Sequence, residues 1–225
     1  IYVLGSELSR SSDGEQTFTS DGSGREVHTD HLSLWIDSRD GRHMILGGDG
    51  GLYITYDRME NWDHHNHIAI GQFYHVGVSA DEDYNIYGGL QDNGSWGGPS
   101  RTRDTSGPMN SDWFRVGSGD GFVCLVDPTD PNQIYFESQN GGMGRIHLET
   151  GERGSIRPRA PRGTEYRFNW KTPFLLSPHN PEIHYSAGNY VFRSVSKGDS
   201  LKAISPEITL TKDGSGSAIS ESPRV

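Results

Sequence analysis

Three aspartates, Asp30, Asp92 and Asp120, stand in polar turns beside β-forming segments, where their carboxyl groups could act on a substrate. Hydrolysis of a glycosidic bond needs two carboxyl groups flanking that bond, about 5–5.5 Å apart for retention and roughly 6.5–9.5 Å apart for inversion. We therefore treat these three residues as candidate catalytic acids. The sequence does not show whether any two of them converge, so the enzymatic interpretation stays open.

A second group has the residue types that bind metal ions. His28, Asp30 and His31 lie together in one loop, just before the strand-like segment LSLWID. Imidazole and carboxylate groups suit Zn²⁺ or another transition metal, although short spacings in an irregular loop define no tetrahedral geometry. The alternative is a loop whose side chains are solvated or hydrogen-bonded to one another.

The polar turn Gln91-Asp92-Asn93-Gly94 follows the strand-like segment IYGGL. Asp-Asn-Gly is a strong turn former, and a purely structural turn explains it. The alternative is a site of carbonyl and carboxylate oxygens that would hold a sugar or Ca²⁺. No cofactor is therefore certain from the sequence, and calcium and zinc are the candidates.

Other polar and aromatic side chains could bind a ligand without reacting with it. In the segment GQFYHV, strict alternation would place Gln72 and Tyr74 on one strand face and His75 on the other. A structural role between packed sheets is the alternative. Trp96 flanks an aperiodic loop over 97–111 and is expected to be reachable by a ligand. The full set of ligand-binding candidates is Gln72, Tyr74, His75, Gln91, Asn93 and Trp96.

The composition limits the kind of protein this can be. The chain has 225 residues, with 30 Gly, 11 Pro and 32% hydrophobic residues, which suits many short strands joined by turns. A net charge of −10 repels phosphate backbones, so nucleic acid is not an expected partner. No run of 18 apolar residues occurs, so no membrane span is expected. The single cysteine, Cys124, lies in an apolar strand and is predicted to be buried and unreactive.

A repeat with a fixed internal offset predicts the fold. An aliphatic strand ends in Asp or Ser, and eight residues later a second strand is centred on Tyr or Ile. The first landmarks are 42 to 50 residues apart, as four-stranded propeller blades require. We therefore predict an all-β chain of four-stranded antiparallel blades. The landmark pairs are Asp37/Ile45, Ser79/Tyr87, Asp127/Tyr135 and Ser177/Tyr185, and Ser222 begins a further copy.

A second repeat occupies the third turn of several units. It reads SSDGEQTF at 11–18, TYDRMENW at 55–62 and SVSKGDSL at 194–201. These turns match, with losses, the pattern Ser-x-Asp-x-Gly-x-Thr-aromatic. Its Asp is expected to accept backbone N–H groups, and its Gly position favours a positive φ. We therefore assign Asp13 and Asp57 a structural role in the turns.

These turns resemble the Asp-boxes of bacterial neuraminidase-type repeats. The motifs HTDHLSLWID, YGGLQDNGS, YRFNWKTPFLLSPHNPE and YVFRS are similar to those of bacterial sortilin-like, glycosyl-hydrolase-like repeat proteins. The resemblance implies seven-bladed propellers in long, exported proteins, and hence an extracellular or periplasmic location. The Asp-boxes of this chain are degraded, because Glu15 and Met59 replace the expected Gly and Ser196 replaces the Asp.

The chain 1–225 is interpreted as a single β-propeller segment. Its blade units fall at about 1–20 (partial), 32–62, 73–115, 120–155, 170–204 and 217–225 (partial). About four and a half blades are therefore predicted, as part of a larger, seven-bladed propeller. A closed five-bladed ring is the alternative. Because both ends read as open strand edges, residues 1–20 and 212–225 are expected to pair with polypeptide outside the segment.

The functional interpretation has three branches. The first is a non-catalytic recognition or scaffolding propeller that binds protein, peptide or glycan at the rim of the blades. The second is a glycoside hydrolase that uses Asp30, Asp92 or Asp120. The third is a structural subunit held in a larger complex by the remaining blades or by a neighbouring subunit. The arginine-rich segment over 157–167 reads as a solvated loop or as a patch that docks an acidic neighbour.

Overall fold

The computed structural model describes residues 1–20, 27–68 and 70–209 of the chain. Within them, the helical elements are two single turns of 3-10 helix, Asn110–Asp112 and Gln139–Gly141, and the other regular elements are β-strands. The all-β prediction is confirmed. No helix in these ranges is long and apolar enough to cross a membrane. The chain divides into two compact units, Ile1–Ile70 and Gly71–Val225.

The first unit contains a two-stranded and a four-stranded antiparallel sheet. The two-stranded sheet pairs β1 (Tyr2–Val3) with β2 (Ser9–Arg10). The four-stranded sheet runs in chain order through β3 (His31–Ile36), β4 (Met44–Gly48), β5 (Gly51–Thr55) and β6 (Asp63–His64). The core of this unit consists of Leu8, Val27, Met44, Leu46, Tyr53 and Met59.

The second unit contains three four-stranded antiparallel sheets, each again ordered as in the chain. The first has β7 (Phe73–Val78), β8 (Asn85–Leu90), β9 (Gly94–Pro99) and β10 (Phe114–Gly117). The second has β11 (Cys124–Asp127), β12 (Asp130–Ser138), β13 (Gly142–His147) and β14 (Arg153–Ser155). The third has β15 (Phe174–Leu176), β16 (His184–Ala187), β17 (Val191–Ser194) and β18 (Lys202–Ala203).

These three sheets lie side by side with their first strands adjacent, because β11 contacts β7 and β15. Apolar side chains fill the spaces between the sheets in two clusters. One contains Tyr87, Val116, Cys124, Ile134 and Ile146, and the other contains Val123, Tyr135, Met143, Ile156 and Phe174. Four-stranded antiparallel sheets with neighbouring first strands are the arrangement of propeller blades. The fold is therefore of β-propeller type, as predicted.

The constant offset of eight residues corresponds to a constant strand register. In all four sheets the residue two positions before the first landmark pairs with the second landmark. The pairs are Trp35 with Ile45, Gly77 with Tyr87, Leu125 with Tyr135 and Leu175 with Tyr185. The predicted pairing of first and second strands is confirmed.

The first landmark is polar because its side chain closes the turn that follows. The Ser79 Oγ accepts a hydrogen bond from the backbone N–H of Asn85 at 2.9 Å. The Asp127 Oδ1 accepts one from the backbone N–H of Thr129 at 2.9 Å. Asp and Ser are favoured in such turns because their short side chains reach nearby backbone groups. The other two landmarks, Asp37 and Ser177, also accept from the backbone N–H two residues ahead.

The strict alternation predicted over 72–76 is wrong, because β7 contains a β-bulge. Phe73 pairs with Leu90 and His75 pairs with Gly89, so Tyr74 is an extra residue in the ladder. A bulge bends its strand and re-aims the side chains beside it. β3 has the same irregularity between His31 and Ser33, so the bulge recurs at the start of two first strands.

The predicted partial units at the two ends have different outcomes. Residues 1–20 form β1, β2 and an isolated bridge between Arg10 and Thr19. The segments 212–225 and 217–225 lie outside the described residues.

Candidate functional site

Five polar side chains of the second unit lie where its first strands begin and where β8 turns into β9. We call Tyr74, Gln91, Asp92, Asp120 and Lys171 the rim cluster. Tyr74 lies on β7, Gln91 and Asp92 follow β8, Asp120 precedes β11 and Lys171 precedes β15. Because successive strands are antiparallel, the start of a first strand and the end of a second strand meet at one edge. Three neighbouring sheets therefore contribute to the cluster.

Asp120 holds the turn of the neighbouring sheet in place. Its side chain is buried, and its Oδ1 accepts a hydrogen bond from the backbone N–H of Asp92 at 2.9 Å. Asp92 has a φ of 60°, in the left-handed region that non-glycine residues seldom adopt. Two glycines allow this approach, since a Cβ on Gly89 would lie 2.0 Å from the carbonyl carbon of Gly121. Asp120 thereby fixes the turn that carries Gln91.

Tyr74 joins that turn to the next two sheets. Its hydroxyl donates a hydrogen bond to the Gln91 Oε1 at 3.2 Å. Its ring packs against Phe122 with a centroid distance of 4.8 Å. The Lys171 Nζ lies over both rings, 5.7 Å from the Tyr74 centroid and 5.9 Å from the Phe122 centroid. A cation over aromatic faces is attracted by the negative face of each ring, which positions this ammonium group at the cluster.

The environment of Tyr74 keeps its phenol protonated. Burial raises the pKa of this hydroxyl, and the Asp120 and Asp92 carboxylates raise it further. The cluster therefore presents a neutral phenol, an amide, a carboxylate and an ammonium group close together. Such a set can both donate and accept hydrogen bonds.

The other predicted ligand-binding residues surround the same turn. The Gln72 carbonyl accepts a hydrogen bond from the backbone N–H of Gln91 at 3.0 Å. The Asn93 Nδ2 donates to the Gln91 carbonyl at 3.0 Å, and the Asn93 carbonyl accepts from the Trp96 Nε1 at 2.7 Å. Trp96 is half-buried on β9, whereas Gln72, His75 and Asn93 are exposed. The side chain of Trp96 is thus tied to the turn.

Asp30 and the two predicted metal-binding histidines belong to the first unit. The Asp30 Oδ2 accepts a hydrogen bond from the Thr29 Oγ1 at 3.1 Å, and the His28 Nδ1 lies 3.0 Å from the Thr29 carbonyl. Burial lowers the pKa of His31, and the Asp30 carboxylate opposes that shift. Within the described ranges, no three His, Cys, Asp or Glu side chains are grouped as a metal site would require. The zinc hypothesis for His28, Asp30 and His31 therefore gains no geometric support.

The two aspartates assigned to the turn repeat bind inside their own turns. The Asp13 Oδ1 accepts the backbone N–H groups of Gln16 at 3.1 Å and Thr17 at 3.0 Å. The Asp57 Oδ1 accepts the backbone N–H of Asn61 at 2.9 Å. Hydrogen bonds from the Thr17 and Asn61 side chains are the largest contributions that lower the pKa of each carboxyl to about 2. These contacts are the ones expected of a carboxylate that shapes a turn.

Lys171 and Phe122 are parts of the site that the sequence analysis missed. Lys171 stands six residues before the landmark Ser177, and Asp120 stands seven residues before the landmark Asp127. The repeat therefore placed both residues ahead of a first strand, which is a signal that could have identified Lys171. Phe122 had no such signal, because its role depends on the packing of one sheet against the next.

No protein-family model and no curated protein matches the chain. The solved structures it resembles include the GH74 xyloglucanase from Xanthomonas campestris, 17% identical, with 78% of this chain and 30% of that chain covered and a TM-score of 0.42. Another is an auxiliary nutrient-binding protein from Bacteroides thetaiotaomicron, 12% identical, with coverages of 85% and 46% and a TM-score of 0.42. A third is YCF48 from Cyanidioschyzon merolae, 15% identical, with coverages of 79% and 57% and a TM-score of 0.36. The chain spans less than two thirds of each of these proteins, and the likenesses assign no activity.

Proposed function

We propose that the chain is the recognition part of a β-propeller protein and that it binds a neutral glycan at the rim cluster. The observation that carries the proposal is the convergence of Tyr74 and Gln91 of the first sheet with Lys171 of the third sheet. Sugar hydroxyl groups both donate and accept hydrogen bonds, so a mixed set of donors and acceptors suits them. Sites that join a few convergent polar groups from several elements are the usual places of ligand binding.

The geometry of Asp120 favours binding over catalysis. Its Oδ1 accepts the backbone N–H of Asp92 and supports a strained turn. A carboxylate engaged in this way preorganises the residues around it, which is the role of a supporting side chain in a binding site.

Equilibrium binding to the purified chain tests the proposal. We would titrate it with neutral linear oligosaccharides of glucose, xylose, mannose and galactose and measure affinity by calorimetry or NMR. Tyr74→Phe and Lys171→Met should each weaken the best ligand about tenfold, as loss of one hydrogen bond to a charged or polar group implies. Lys202→Met is the matched control, because Lys202 is exposed on β18 of the third sheet. Equal affinity of all four proteins would refute a glycan site at the rim cluster.

A glycoside hydrolase is the second candidate, because Asp92 and Asp120 of neighbouring sheets meet at one edge. The Asp92 backbone N–H donates to the Asp120 carboxylate, and glycosidases use a pair of carboxyl groups. Hydrolysis would be established if the protein releases reducing ends from the best-bound oligosaccharide and if Asp120→Asn abolishes this release while it still binds the oligosaccharide. Binding without turnover in the unmodified protein would leave recognition as the function.

The cellular location of the protein and the propeller blades around this segment are also proposals. The resemblance to exported repeat proteins supports an extracellular or periplasmic location, with the remaining blades of a larger propeller as its neighbours. The four-stranded sheets have the form of blades, which supports a larger propeller around this segment.

A further inference from the structure

A groove of about 370 Å³ opens on the second sheet of the second unit, apart from the rim cluster. It lies over β12, β13 and β14 and extends to Arg157 just beyond β14. Its volume is within the range of roughly 300–1,000 Å³ that small-molecule sites occupy. The residues that line it include Phe136, Ser138, Gly142, Gly144, Arg153 and Arg157.

The groove carries positive charge on an acidic protein. The chain has a net charge of −10, yet Arg153 and Arg157 line the groove and are both exposed. Among the described residues, neither arginine has a carboxylate within ion-pair distance, whereas Arg145 beside them pairs with Asp199 at 3.0 Å. Two exposed guanidinium groups beside one groove attract an anionic group.

Both guanidinium groups are held in place by contacts that leave donors for a ligand. The Arg153 Nη1 donates to the Val116 carbonyl at 2.9 Å. The Arg157 guanidinium lies over the Phe168 ring, 5.1 Å from its centroid. Because a guanidinium carries five N–H donors, one carbonyl bond or one ring contact leaves most of them available. Groups that are already positioned lose less entropy when they bind.

An aromatic ring and a hydroxyl group line the groove where they pack on glycines. A Cβ on Gly144 would lie 2.5 Å from the Phe136 ring, and a Cβ on Gly142 would lie 2.4 Å from the Ser138 Oγ. Glycine at these positions therefore lets the half-buried Phe136 ring and the Ser138 hydroxyl pack directly on β13, where both line the groove. A sugar ring suits such a surface, because its C–H groups pack on apolar area while its hydroxyls meet polar neighbours.

We propose that this groove binds a hexuronate residue of an acidic polysaccharide. The carboxylate would accept hydrogen bonds from Arg153 and Arg157, and the pyranose ring would pack against the Phe136 ring beside the Ser138 hydroxyl. An acidic peptide could satisfy the charges, but it would not need an aromatic ring and a hydroxyl group beside the two arginines. The inference does not depend on glycan binding at the rim cluster, because the two places share no residue.

The experiment is a titration of the whole chain with three kinds of probe. These are tri-galacturonate or tri-mannuronate, the corresponding neutral trisaccharides, and hexaglutamate. We expect a uronate trimer to bind and the neutral trisaccharides to bind at least about tenfold more weakly, as loss of a charge-assisted pair implies. Hexaglutamate binding as tightly as the uronates, or no binding of either uronate, would overturn the proposal.

Matched variants locate the site. Arg153→Gln and Arg157→Gln should each weaken the uronate at least about tenfold, whereas Arg103→Gln should leave the affinity within about twofold. Arg103 is an exposed residue of the long loop and has no ion-pair partner among the described residues. Arg153→Lys keeps the charge but not the planar fork, so it should recover only part of the affinity. Equal losses in Arg103→Gln and Arg153→Gln would show a general charge effect and refute the groove, and unchanged uronate affinity in Tyr74→Phe would separate this site from the rim cluster.

Discussion

At the scale of single residues, the three copies of the turn repeat share one backbone conformation. The fifth residue of each copy has a positive φ: 71° at Glu15, 75° at Met59 and 89° at Gly198. In two copies the hydroxyl of the first residue accepts a hydrogen bond from the backbone N–H of the fifth. The Ser11 hydroxyl accepts from Glu15, and the Thr55 hydroxyl accepts from Met59. Only glycine adopts this conformation without a steric cost. The two non-glycine residues are therefore strained.

Glu15→Gly should stabilise the first unit by about 1 kcal/mol, because it removes that cost at an exposed position. The free energy of unfolding, measured with urea, is the test. Gln16→Gly is the control, since Gln16 is the exposed neighbour of Glu15 and has no positive φ. Glycine at position 16 should lower the stability. Equal losses in the two variants would contradict the strain at Glu15.

His184 is a buried residue whose titration should make the stability of the protein depend on pH. It is fully buried, its ring nitrogens have no hydrogen-bond partner among the described residues, and it stacks on Phe174 with a centroid distance of 5.5 Å. Burial lowers its pKa from 6.5 to about 4. Because the folded pKa is the lower one, folding favours the neutral ring. Its contribution is complete above pH 6.5 and is lost as the pH falls toward 4.

Between pH 6.5 and pH 4, the preference for neutral His184 should lower the free energy of unfolding by on the order of 3 kcal/mol. His184→Phe, which keeps an aromatic ring and removes the titration, should make unfolding free energy less dependent on pH between 6.5 and 4. His179→Gln is the control, since His179 is exposed in the turn between β15 and β16. If the free energy of unfolding has the same pH dependence in His184→Phe and in the unmodified protein, the assignment of a buried neutral imidazole at this position is wrong.

At the scale of strands and turns, the polar landmark holds the first two strands of each sheet together. The Ser79 Oγ is buried and accepts the backbone N–H of Asn85 across a six-residue connection. Ser79→Ala should therefore cost about 1 kcal/mol, the usual worth of one buried hydrogen bond. Thermal or urea unfolding measures it, with the exposed Ser118→Ala as the control. No difference between the two variants would mean that the landmark does not close the turn.

The elements were predictable from the sequence because each sheet is a local structure. The landmark pairs lie in strands joined by short turns, so spacing along the chain corresponds to register, as in Leu125 opposite Tyr135. The bulge at Tyr74 was not predictable, because nothing in the segment GQFYHV marks an extra residue. The contact of Asp120 with Asp92 was not predictable either, because it joins two sheets and depends on how closely Gly89 and Gly121 approach.

At the scale of the whole molecule, charge is unevenly distributed. The chain is acidic overall, but the segment that follows β14 carries Arg157, Arg159 and Arg162, all exposed. The sequence of this basic segment predicts either a solvated loop or a patch that docks an acidic neighbour. The structure places Arg157 at one end of the groove over β12–β14, which ties part of the segment to a defined surface.

Cys124 reports on the packing of neighbouring sheets. It is fully buried in the cluster between the first two sheets of the second unit, and its carbonyl would lie 2.4 Å from a Cβ on Gly77 of β7. Burial raises the pKa of the Cys124 thiol to about 12, so the reactive thiolate is scarce at neutral pH. A reagent can reach this sulfur only when the two sheets separate.

Labelling of Cys124 by a thiol reagent should therefore require large-scale unfolding of the second unit. At pH 8 the native protein should react many times more slowly than the protein in concentrated guanidinium. Low concentrations of urea should accelerate the reaction with the same dependence as global unfolding, because the same surface must be exposed. The fluorescence-detected unfolding curve supplies that dependence for comparison. A labelling rate that is fast, or that does not change with urea, would show that the sheets separate locally and would contradict the tight packing of β7 against β11.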